Sequence, residues 1–511
     1  MKYLLNFAFI YLAFHLLLPA QNVTWGVENK SDRSDFNPKR LLGIYNNSLY
    51  VTMREKKKYY IQRYGIKDNL KMGKEVLLPE EIGKDDIYYQ FSYRIKNTIH
   101  TFFTKYSKKE KKNTIFVQSY DENLSPKGSL RELMSIGGRN RSETGSFDLL
   151  VSTDSTKICL MGEDDFRDKD PQKFSFTVFN SYSMEEDWRK SITLPYTDKI
   201  FKTSDFDISN EGSVYIFGKK YNNNKVQEKK GGKVNYTFEV FGYSKTAADI
   251  QKTISLGDLH YMRDMKMFVS KNNNVNIVGF FGERSNIDRS KGIFTLSFDK
   301  EMNITKKNQA DFSPEFLENF GRWSKQRGEL KEFDIKSIVE NDNGTFKVIA
   351  EQSFIIVQRN RNQGGGLSIN LGGNGYTYTY YDLDIIAFDL DGDLKISNMQ
   401  KISKSQVSRS IQEIHSYITY QNGSDLSLLY NDNVKNKDVI DGKKIKEMGS
   451  KPSFFMVKLG GDGTIKKDLL FGKQENKFLI YPKFSQQISP KEVVIYAERG
   501  RKYSFGIIKF D

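Results

Sequence analysis

The chain has 511 residues, a formal net charge of +15 and one cysteine, and 14% of its residues are aromatic. A single cysteine excludes an internal disulfide and zinc sites built from several cysteines, so stability has to come from a large core. The 37 Phe and 29 Tyr supply that core and favour strands, and the scarcity of proline (10 residues) argues against long disordered segments. Cys159 lies in the apolar string KICLMG, which predicts a buried thiol rather than a reactive one.

The N-terminus has the pattern of a signal peptide. Lys2 supplies a positive charge, residues 4–18 are mostly apolar, and Ala20 offers a small residue before a predicted cleavage at Gln21. The alternative is a membrane anchor, but the apolar run is shorter than the roughly 20 residues that a spanning helix needs. We therefore expect residues 1–20 to be removed and residues 21–511 to form an exported protein. It would be periplasmic, outer-membrane-associated or extracellular, and no transmembrane segment would remain.

One motif then recurs along the chain. A strand of alternating apolar residues ends in an aromatic residue or Leu, a short turn with Asp, Asn or Gly follows, and a second strand begins. Most copies lie about 50 to 60 residues apart, the spacing of four-stranded propeller blades that carry insertions. The residues that end the first strand of each copy are Tyr64, Tyr120, Phe179, Phe241, Phe298, Phe388, Leu459 and Phe510.

A hairpin precedes each copy, as in FDISNEGSVYIFGKK and SIVENDNGTFKVIAEQ, where two apolar runs flank an Asn/Gly turn. Each repeat thus predicts four strands, a to d. The fold class is all-β: a single β-propeller of about eight four-stranded blades, with seven as the alternative. The last repeat ends after strand c, so we expect the mature N-terminal strand NVTWGVEN to pair with residues 503–510 and close the ring.

Two insertions interrupt the sixth repeat. Residues 313–328 predict a helix, because Ser313 suits the N-cap, Pro314 the first turn and Gly328 the C-terminal end. This helix would pack on the side of the propeller or serve as a docking element. The second insertion is a Gly/Tyr-rich hairpin loop, residues 358–381.

Segments of the sixth and seventh repeats resemble those of other proteins. The segments FKVIAEQSFIIVQ, YTYTYYDLDIIAFDLDGDLKI, KISKSQ and SLLYNDNVKN, within residues 343–436, resemble a group of uncharacterised secreted propeller-like proteins of the Bacteroidota. The resemblance implies the fold and an exported location. It brings no established activity and no functional residue.

The sequence offers little support for a metal site or an activated nucleophile. His100, His260 and His415 of the mature chain are far apart in sequence and form no ligand pair. The Asp-rich string DLDGDL around Asp391 lacks the Gly and Glu positions of a calcium loop and favours a hairpin turn. Neither a G-x-S-x-G elbow nor a phosphate-binding loop is present, so we expect no metal and no cofactor.

Paired carboxylates leave an enzymatic alternative open. Propellers host glycoside-cleaving sites, and Glu351 and Glu413 would project from strands of neighbouring blades. The sequence favours a non-enzymatic role and leaves an enzymatic one open. The alternative function is a carbohydrate-active hydrolase or lyase with its site at the central channel.

The repeat pattern predicts where the positive charge lies in the folded protein. In a propeller, all b–c connections lie on one face, and here they include the basic segments 54–58, 105–112 and 219–233, whereas 163–173 is acidic. The net charge of the eight b–c connections together is more positive than the net charge of the whole chain, so the rest of the chain is slightly acidic. Long tips are often lysine-rich for solvation alone, but a basic face also fits an anionic surface. The candidate binding residues are Lys56, Lys57, Lys58, Lys108, Lys109, Lys111, Lys112, Lys219, Lys220, Lys229, Lys230, Arg359, Arg361, Tyr376, Tyr378 and Tyr380.

The favoured function is therefore an exported, non-enzymatic binding or scaffold propeller at the cell envelope. Its partner would be a protein or an anionic polysaccharide or lipopolysaccharide surface, rather than nucleic acid, because export separates the protein from most nucleic acid. We expect a monomer.

Overall fold

A computed structural model describes residues 23–30, 37–164, 170–222, 226–231, 233–254, 261–283, 288–359, 376–408, 413–439, 445–472 and 478–510. These residues form eight antiparallel sheets of four or more strands, which we number as blades 1 to 8 with strands a to d in order, and three two-stranded ribbons in the connections. The prediction of a propeller with eight blades is confirmed, and the alternative of seven is wrong.

The first four blades each contain four strands. Blade 1 consists of Asn37–Tyr45, Ser48–Glu55, Lys58–Gly65 and Lys71–Leu77. Blade 2 consists of Tyr88–Ile95, Thr98–Ser107, Lys112–Tyr120 and Pro126–Gly137. Blade 3 consists of Ser146–Val151, Lys157–Glu163, Pro171–Asn180 and Glu186–Thr197. Blade 4 consists of Phe201–Ile208, Val214–Tyr221, Tyr236–Tyr243 and Ile250–Ile254.

The remaining blades follow the same order, and only blade 8 recruits a strand from the other end of the chain. Blade 5 consists of Tyr261–Val269, Val275–Gly282, Gly292–Phe298 and Ile304–Asp311. Blade 6 consists of Phe333–Glu340, Phe346–Arg359, Tyr376–Leu390 and Ile396–Ile402, with Gln406–Ser408 as a fifth strand. Blade 7 consists of Ile418–Asn422, Asp425–Asp432, Ser453–Leu459 and Ile465–Phe471. Blade 8 consists of Leu479–Ile480 with Gln486–Ser489, then Glu492–Arg499, Lys502–Lys509 and Val23–Trp25 followed by Asn29–Lys30.

The N-terminal strand closes the ring as predicted. Val23 pairs with Ile508 and Trp25 with Gly506, so the strand is the fourth of blade 8. The Trp25 indole stacks on Phe478, with ring centroids 6.0 Å apart. Because closure supplies a partner for strand c of the last blade, that edge is not left exposed to pairing with another chain.

The hydrophobic core lies between the blades. Eight clusters of buried side chains occur among the described residues, and each is shared by two neighbouring blades around the whole ring. All eight aromatic or Leu residues that end the strands c are buried. The alternation of apolar residues along the strands thus faces the neighbouring sheets. Cys159 is fully buried in strand b of blade 3, as predicted.

An aspartate caps several of the c–d turns. Asp391 Oδ1 accepts hydrogen bonds from the backbone N–H groups of Asp393 and Lys395, both at 2.9 Å. Asp121 makes the equivalent bonds in blade 2. The Asp-rich string of blade 6 therefore builds a turn. Among the described residues, no group of three or more His, Cys, Asp or Glu side chains is arranged to hold a metal ion.

The order of the strands creates two faces. The b–c and d–a connections lie on one face, which we call the b–c face, and the a–b and c–d turns lie on the other, the turn face. The strands a of most neighbouring blades contact one another around the central axis.

Two short helices lie in the d–a connection between blades 5 and 6. They span Pro314–Glu318 and Arg322–Arg327, and Ser313 caps the first by accepting from Phe316 N at 3.1 Å. The predicted single helix is interrupted at Gly321, whose φ of 94° lies outside the helical region. Within the parts of the chain that the structure describes, no helix has the length and apolarity to cross a membrane.

Candidate functional site

The lysines at the tip of blade 1 are exposed on the b–c face. Lys56 and Lys57 form the two-residue turn between strands b and c, with φ values of 51° and 68°. Lys58 follows at the start of strand c, and its Nζ lies 2.9 Å from Glu80 Oε2. Positive φ at both central positions is the type I′ geometry, which usually carries Asn-Gly.

The tip of blade 2 adds four exposed lysines to the same face. Lys108, Lys109 and Lys111 lie in the turn between strands b and c, and Lys112 begins strand c. The neighbouring Lys105 pairs with Asp85 of the d–a connection, with 2.6 Å between Nζ and Oδ2. The structure therefore places seven of the predicted lysines on two adjacent tips.

The four predicted lysines of blade 4 have different environments. Lys219 is largely buried: its Nζ lies 3.0 Å from Glu228 Oε1 and 4.1 Å from the centre of the Tyr236 ring. Burial lowers the pKa of Lys219, although the charge of Glu228 opposes that effect. Lys219 is thus engaged within the blade and its ammonium group is not free for a ligand.

Lys220 is also engaged, and the last two lysines are exposed. Lys220 Nζ lies 3.7 Å from Glu239 Oε1 and 4.7 Å from the centre of the Tyr196 ring. Lys229 and Lys230 are exposed and form a short strand paired with Lys233–Val234.

The predicted residues of blade 6 lie on a long b–c hairpin. Arg359 pairs in register with Tyr376, Val357 with Tyr378 and Ile355 with Tyr380. Tyr380 is half-buried. Arg361 and the rest of the Gly-rich loop lie outside the described residues. Three successive side chains on strand b of this hairpin are 40% to 52% exposed, and they are Ile355, Ile356 and Val357.

A cleft on the b–c face lies between blades 1 and 2, and we call it the tyrosine cleft. It has a volume of about 260 Å³ and is lined by Tyr59, Tyr88 and Tyr89 together with Lys57 and Glu80. The rings of Tyr59 and Tyr89 stack with their centroids 4.3 Å apart, and Tyr88 is 43% exposed. Aromatic walls with a few charged groups at the rim are typical of ligand clefts.

Sequence reasoning missed the tyrosine cleft. In the sequence, Tyr59 looks like an ordinary strand residue. Tyr88 and Tyr89 lie in a strand a whose sequence contains no motif typical of a binding site. Only Lys57 of the cleft was among the predicted residues. The signal that could have found it is the pair of adjacent tyrosines at the start of strands c and a, next to the basic tips.

Cations surround the cleft. Arg141, from the connection between blades 2 and 3, lies over the Tyr88 ring at 5.3 Å from its centre and 3.8 Å from Asp86. Arg54 lies over the Tyr59 ring at 5.9 Å. The cleft therefore combines ring faces with positive charge, and carboxylates balance part of that charge.

Carboxylates near the central axis are bonded to the next blade. Asp207 Oδ2, on strand a of blade 4, accepts from the backbone N–H of Val269 on blade 5 at 2.6 Å. Asp264, on blade 5, accepts in the same way from Ile335 on blade 6. Burial raises the pKa of Asp207 and of Asp264 to about 6, against the effect of these hydrogen bonds. Both carboxylates thus join neighbouring blades.

The two glutamates considered for sugar cleavage, Glu351 and Glu413, differ in burial. Glu351 is 1% exposed and forms an ion pair with Lys404, and Ser416 Oγ donates to its second oxygen at 3.0 Å. Glu413 is exposed in the connection to blade 7. A glutamate sealed by an ion pair cannot reach a sugar, so this pair does not form a cleavage site in the described structure.

Comparisons with known proteins give distant likenesses. No family model matches the chain, and no curated protein matches it. Solved structures that it resembles include the β-propeller domain of the Trilobed protease from Pyrococcus furiosus, with 10% identity and a TM-score of 0.35 over 86% of this chain and 97% of that domain.

Two further structures are similarly remote. The NanB sialidase from Streptococcus pneumoniae has 10% identity and a TM-score of 0.33 over 98% of this chain and 96% of the sialidase. The Pyrococcus horikoshii acylaminoacyl peptidase has 9% identity and a TM-score of 0.34, over 94% of this chain and 58% of the peptidase. Likenesses this distant say nothing about function, and the propeller fold is established by the sheet topology itself.

Proposed function

We propose that the protein is an exported, non-enzymatic propeller that binds an anionic glycan of the cell envelope on its b–c face. The observation that supports this most is the tyrosine cleft with the two basic tips of blades 1 and 2 beside it. Ring faces of Tyr88 and its neighbours would pack on sugar rings, and the lysines would attract sulfate, phosphate or carboxylate groups.

The turn at Lys56 and Lys57 gives this proposal a second support. In the a–b turn of the same blade, the positive-φ positions are occupied by Asn46 and Asn47, residues that tolerate this geometry well. The b–c turn has the same geometry but carries two lysines, which adopt a positive φ less readily. Residues that break a local rule without a structural gain are often retained for function. Here the two lysines add charge at the rim of the cleft.

A protein partner is a second candidate, and the hairpin of blade 6 favours it. Ile355, Ile356 and Val357 expose apolar surface on both sides of strand b, beyond the part of that strand that pairs with strand a. An uncharged, β-branched stretch without a covering strand among the described residues is the kind of edge that another chain can extend.

The enzymatic alternative is a hydrolase or lyase at the central channel. The bonds of Asp207 and Asp264 to the backbone of the next blade favour a structural role for these carboxylates over catalysis. Release of reducing ends from acidic polysaccharides, lost in the variants Asp207→Asn and Asp264→Asn with the fold retained, would establish the enzymatic function instead.

The test of glycan binding uses dextran sulfate as the probe and uncharged dextran as the control polymer. The variant combines Lys56→Asn, Lys57→Gly, Lys108→Ser and Lys109→Ser. The control, Lys67→Ser with Lys71→Ser, removes two exposed lysines near the c–d turn of blade 1, half as many as the variant. Each exposed contact contributes about 0.2–1 kcal/mol, so losing four should weaken binding by at least about fourfold.

The salt dependence of binding and the behaviour of the control variant decide whether the b–c face binds the polymer. We expect native binding to weaken as salt is raised, because exposed charges are screened, and the control variant to bind like the native protein. Binding that ignores salt, or that falls equally in the control variant, would contradict the proposal. A further variant, Tyr88→Ala, should weaken binding without changing its dependence on salt, since it removes a ring and no charge.

A further inference from the structure

A second cavity lies on the turn face, between blades 2 and 3, away from the tyrosine cleft. Its volume is about 660 Å³, and it is lined by the start of strand b, the end of strand c and strand d of blade 2, and by the c–d turn of blade 3. A cavity of this size is in the range that takes a small organic ligand.

Two cations line this cavity. Lys127 and Arg131 both lie on strand d of blade 2 with exposed side chains. Lys127 Nζ is 3.4 Å from Thr98 Oγ1, and an Arg131 Nη atom donates to the backbone oxygen of Met184 at 2.8 Å. The one acidic side chain among the described lining residues is Glu132. The lining is thus positive on balance.

A buried histidine lines the same cavity. His100 is 2% exposed, and its Nδ1 lies 2.8 Å from Ser119 Oγ. Within the described residues its Nε2 has no hydrogen-bond partner. A buried polar atom left without a partner destabilises the folded state unless a ligand or water satisfies it.

The charge state of His100 agrees with a donor role. Burial, together with the charges of Lys127 and Arg131, lowers the pKa of His100 to about 4. The ring is therefore neutral near pH 7 and has a single N–H group. If Ser119 donates its hydroxyl proton to Nδ1, that N–H group is on Nε2, the nitrogen that lacks a partner.

We propose that this cavity is a binding site for the carboxylate of an acidic sugar unit, held by His100 Nε2–H, Lys127 and Arg131. The rest of the lining suits a sugar, because it offers hydroxyl groups and an aromatic ring. Tyr182 is 44% exposed, and the hydroxyls come from Thr98, Ser119, Ser129 and Ser183. The proposal goes beyond glycan binding on the b–c face and is independent of it, since the two sites share no residue.

The experiment titrates D-glucuronate into purified protein with ¹⁵N-labelled histidine and follows the ring nitrogens by NMR. The signal of His100 is assigned by its absence in His100→Gln. We expect D-glucuronate to shift the His100 Nε2 signal, and D-glucose, which lacks the carboxylate, to leave it in place. A shift of equal size with D-glucose, or no shift with D-glucuronate up to tens of millimolar, would overturn the proposal.

Variants of the exposed cations keep the test independent of folding. Lys127→Gln combined with Arg131→Gln should weaken binding of D-glucuronate by about tenfold or more, since each removes a charged hydrogen-bond donor. Lys67→Gln combined with Lys71→Gln, exposed lysines at the turn face of blade 1, should leave it unchanged. Equal binding by the first double variant and the native protein would also overturn the site. The b–c face variants should bind D-glucuronate like the native protein, so failure of one site is distinguishable from failure of the other.

Discussion

The junction between blades 6 and 7 and the tips of blades 1 and 2 both contain several lysines, but they use them in opposite ways. At the junction, Lys404 is fully buried and pairs with Glu351, and it also donates to Gln406 Oε1 at 2.9 Å. At the tips, Lys56 and Lys57 are exposed. The same residue type therefore fixes the structure in one region and leaves a surface charged in the other.

The junction is a network rather than a single pair. His415 Nδ1 donates to Asp382 Oδ2 at 2.8 Å. Burial by itself would raise the pKa of Asp382, but the bond from His415 and the charge of Lys404 hold it below its ordinary value. Lys467 extends the pattern on blade 7, with its Nζ 2.8 Å from the buried Asp432 Oδ2. The number of lysines alone does not identify a binding face, because buried lysines such as Lys404 and Lys467 form ion pairs within the core.

The largest effect is expected at the buried pair. Lys404→Ala leaves Glu351 as an unpaired buried charge, so the free energy of unfolding should fall by about 3–5 kcal/mol. Urea denaturation at pH 7 measures the change. The double variant Lys404→Met with Glu351→Met, which leaves neither charge, should recover most of the loss. A loss below about 1 kcal/mol for Lys404→Ala would contradict the description of Lys404 and Glu351 as a buried ion pair.

The next effect concerns the buried carboxylates between blades. The folded-state pKa of Asp207 is raised to about 6 from an ordinary value near 3.8, so the folded protein binds this proton more tightly than the unfolded chain. Its contribution to stability is present below about pH 4 and is lost as the pH rises through 6, a loss of at most about 3 kcal/mol. Asp207→Asn keeps an oxygen acceptor for Val269 and should flatten this decline. An unchanged pH profile of stability in Asp207→Asn would contradict the shift.

A smaller effect, of opposite sign, is expected at the tip of blade 1. Lys56→Asn with Lys57→Gly places the residues that suit a type I′ turn, so stability should rise by about 1 kcal/mol. Thermal unfolding gives the change, and binding of dextran sulfate should weaken in the same variant. Asn46→Ala, at the a–b turn of the same blade, serves as the reference and should lower stability. A loss of stability in the Asn-Gly variant would show that the lysines are there for the fold.

The smallest effect is expected at the tip of blade 2. Lys108→Ser with Lys109→Ser should change the free energy of unfolding by less than about 0.5 kcal/mol, because exposed lysines contribute little to stability. Urea denaturation against the native protein measures it. A loss as large as that of Lys404→Ala would remove the distinction between the two regions.

The fold was predictable from the sequence because its signals are local and repeated. Each strand c ends in a buried ring or Leu, such as Tyr64 or Leu459, and each polar turn follows at a fixed offset. The closure by Val23–Trp25 followed from counting strands in the last repeat. The break of the insertion helix at Gly321 was not foreseen, because Phe316, Phe320 and Trp323 are spaced as on one face of a continuous helix.

The sites were less predictable because they depend on contacts between blades. Lys219 and Lys404 read as ordinary charged residues, and only the partners Glu228 and Glu351 show that they are engaged. His100 has no ligand residue near it in sequence, since the cations beside it come from a different strand. The tyrosine cleft arises from two blades whose residues have no common motif.

Hydrogen exchange of the backbone amides, with and without dextran sulfate, tests the central claim most directly. The account predicts slower exchange on binding in residues 54–60 and 84–89, which form the basic tip of blade 1 and the tyrosine cleft. Residues 66–71, at the c–d turn of blade 1, should exchange at an unchanged rate. Protection confined to the c–d turns, or no protection on the b–c face when the polymer is bound, would contradict it.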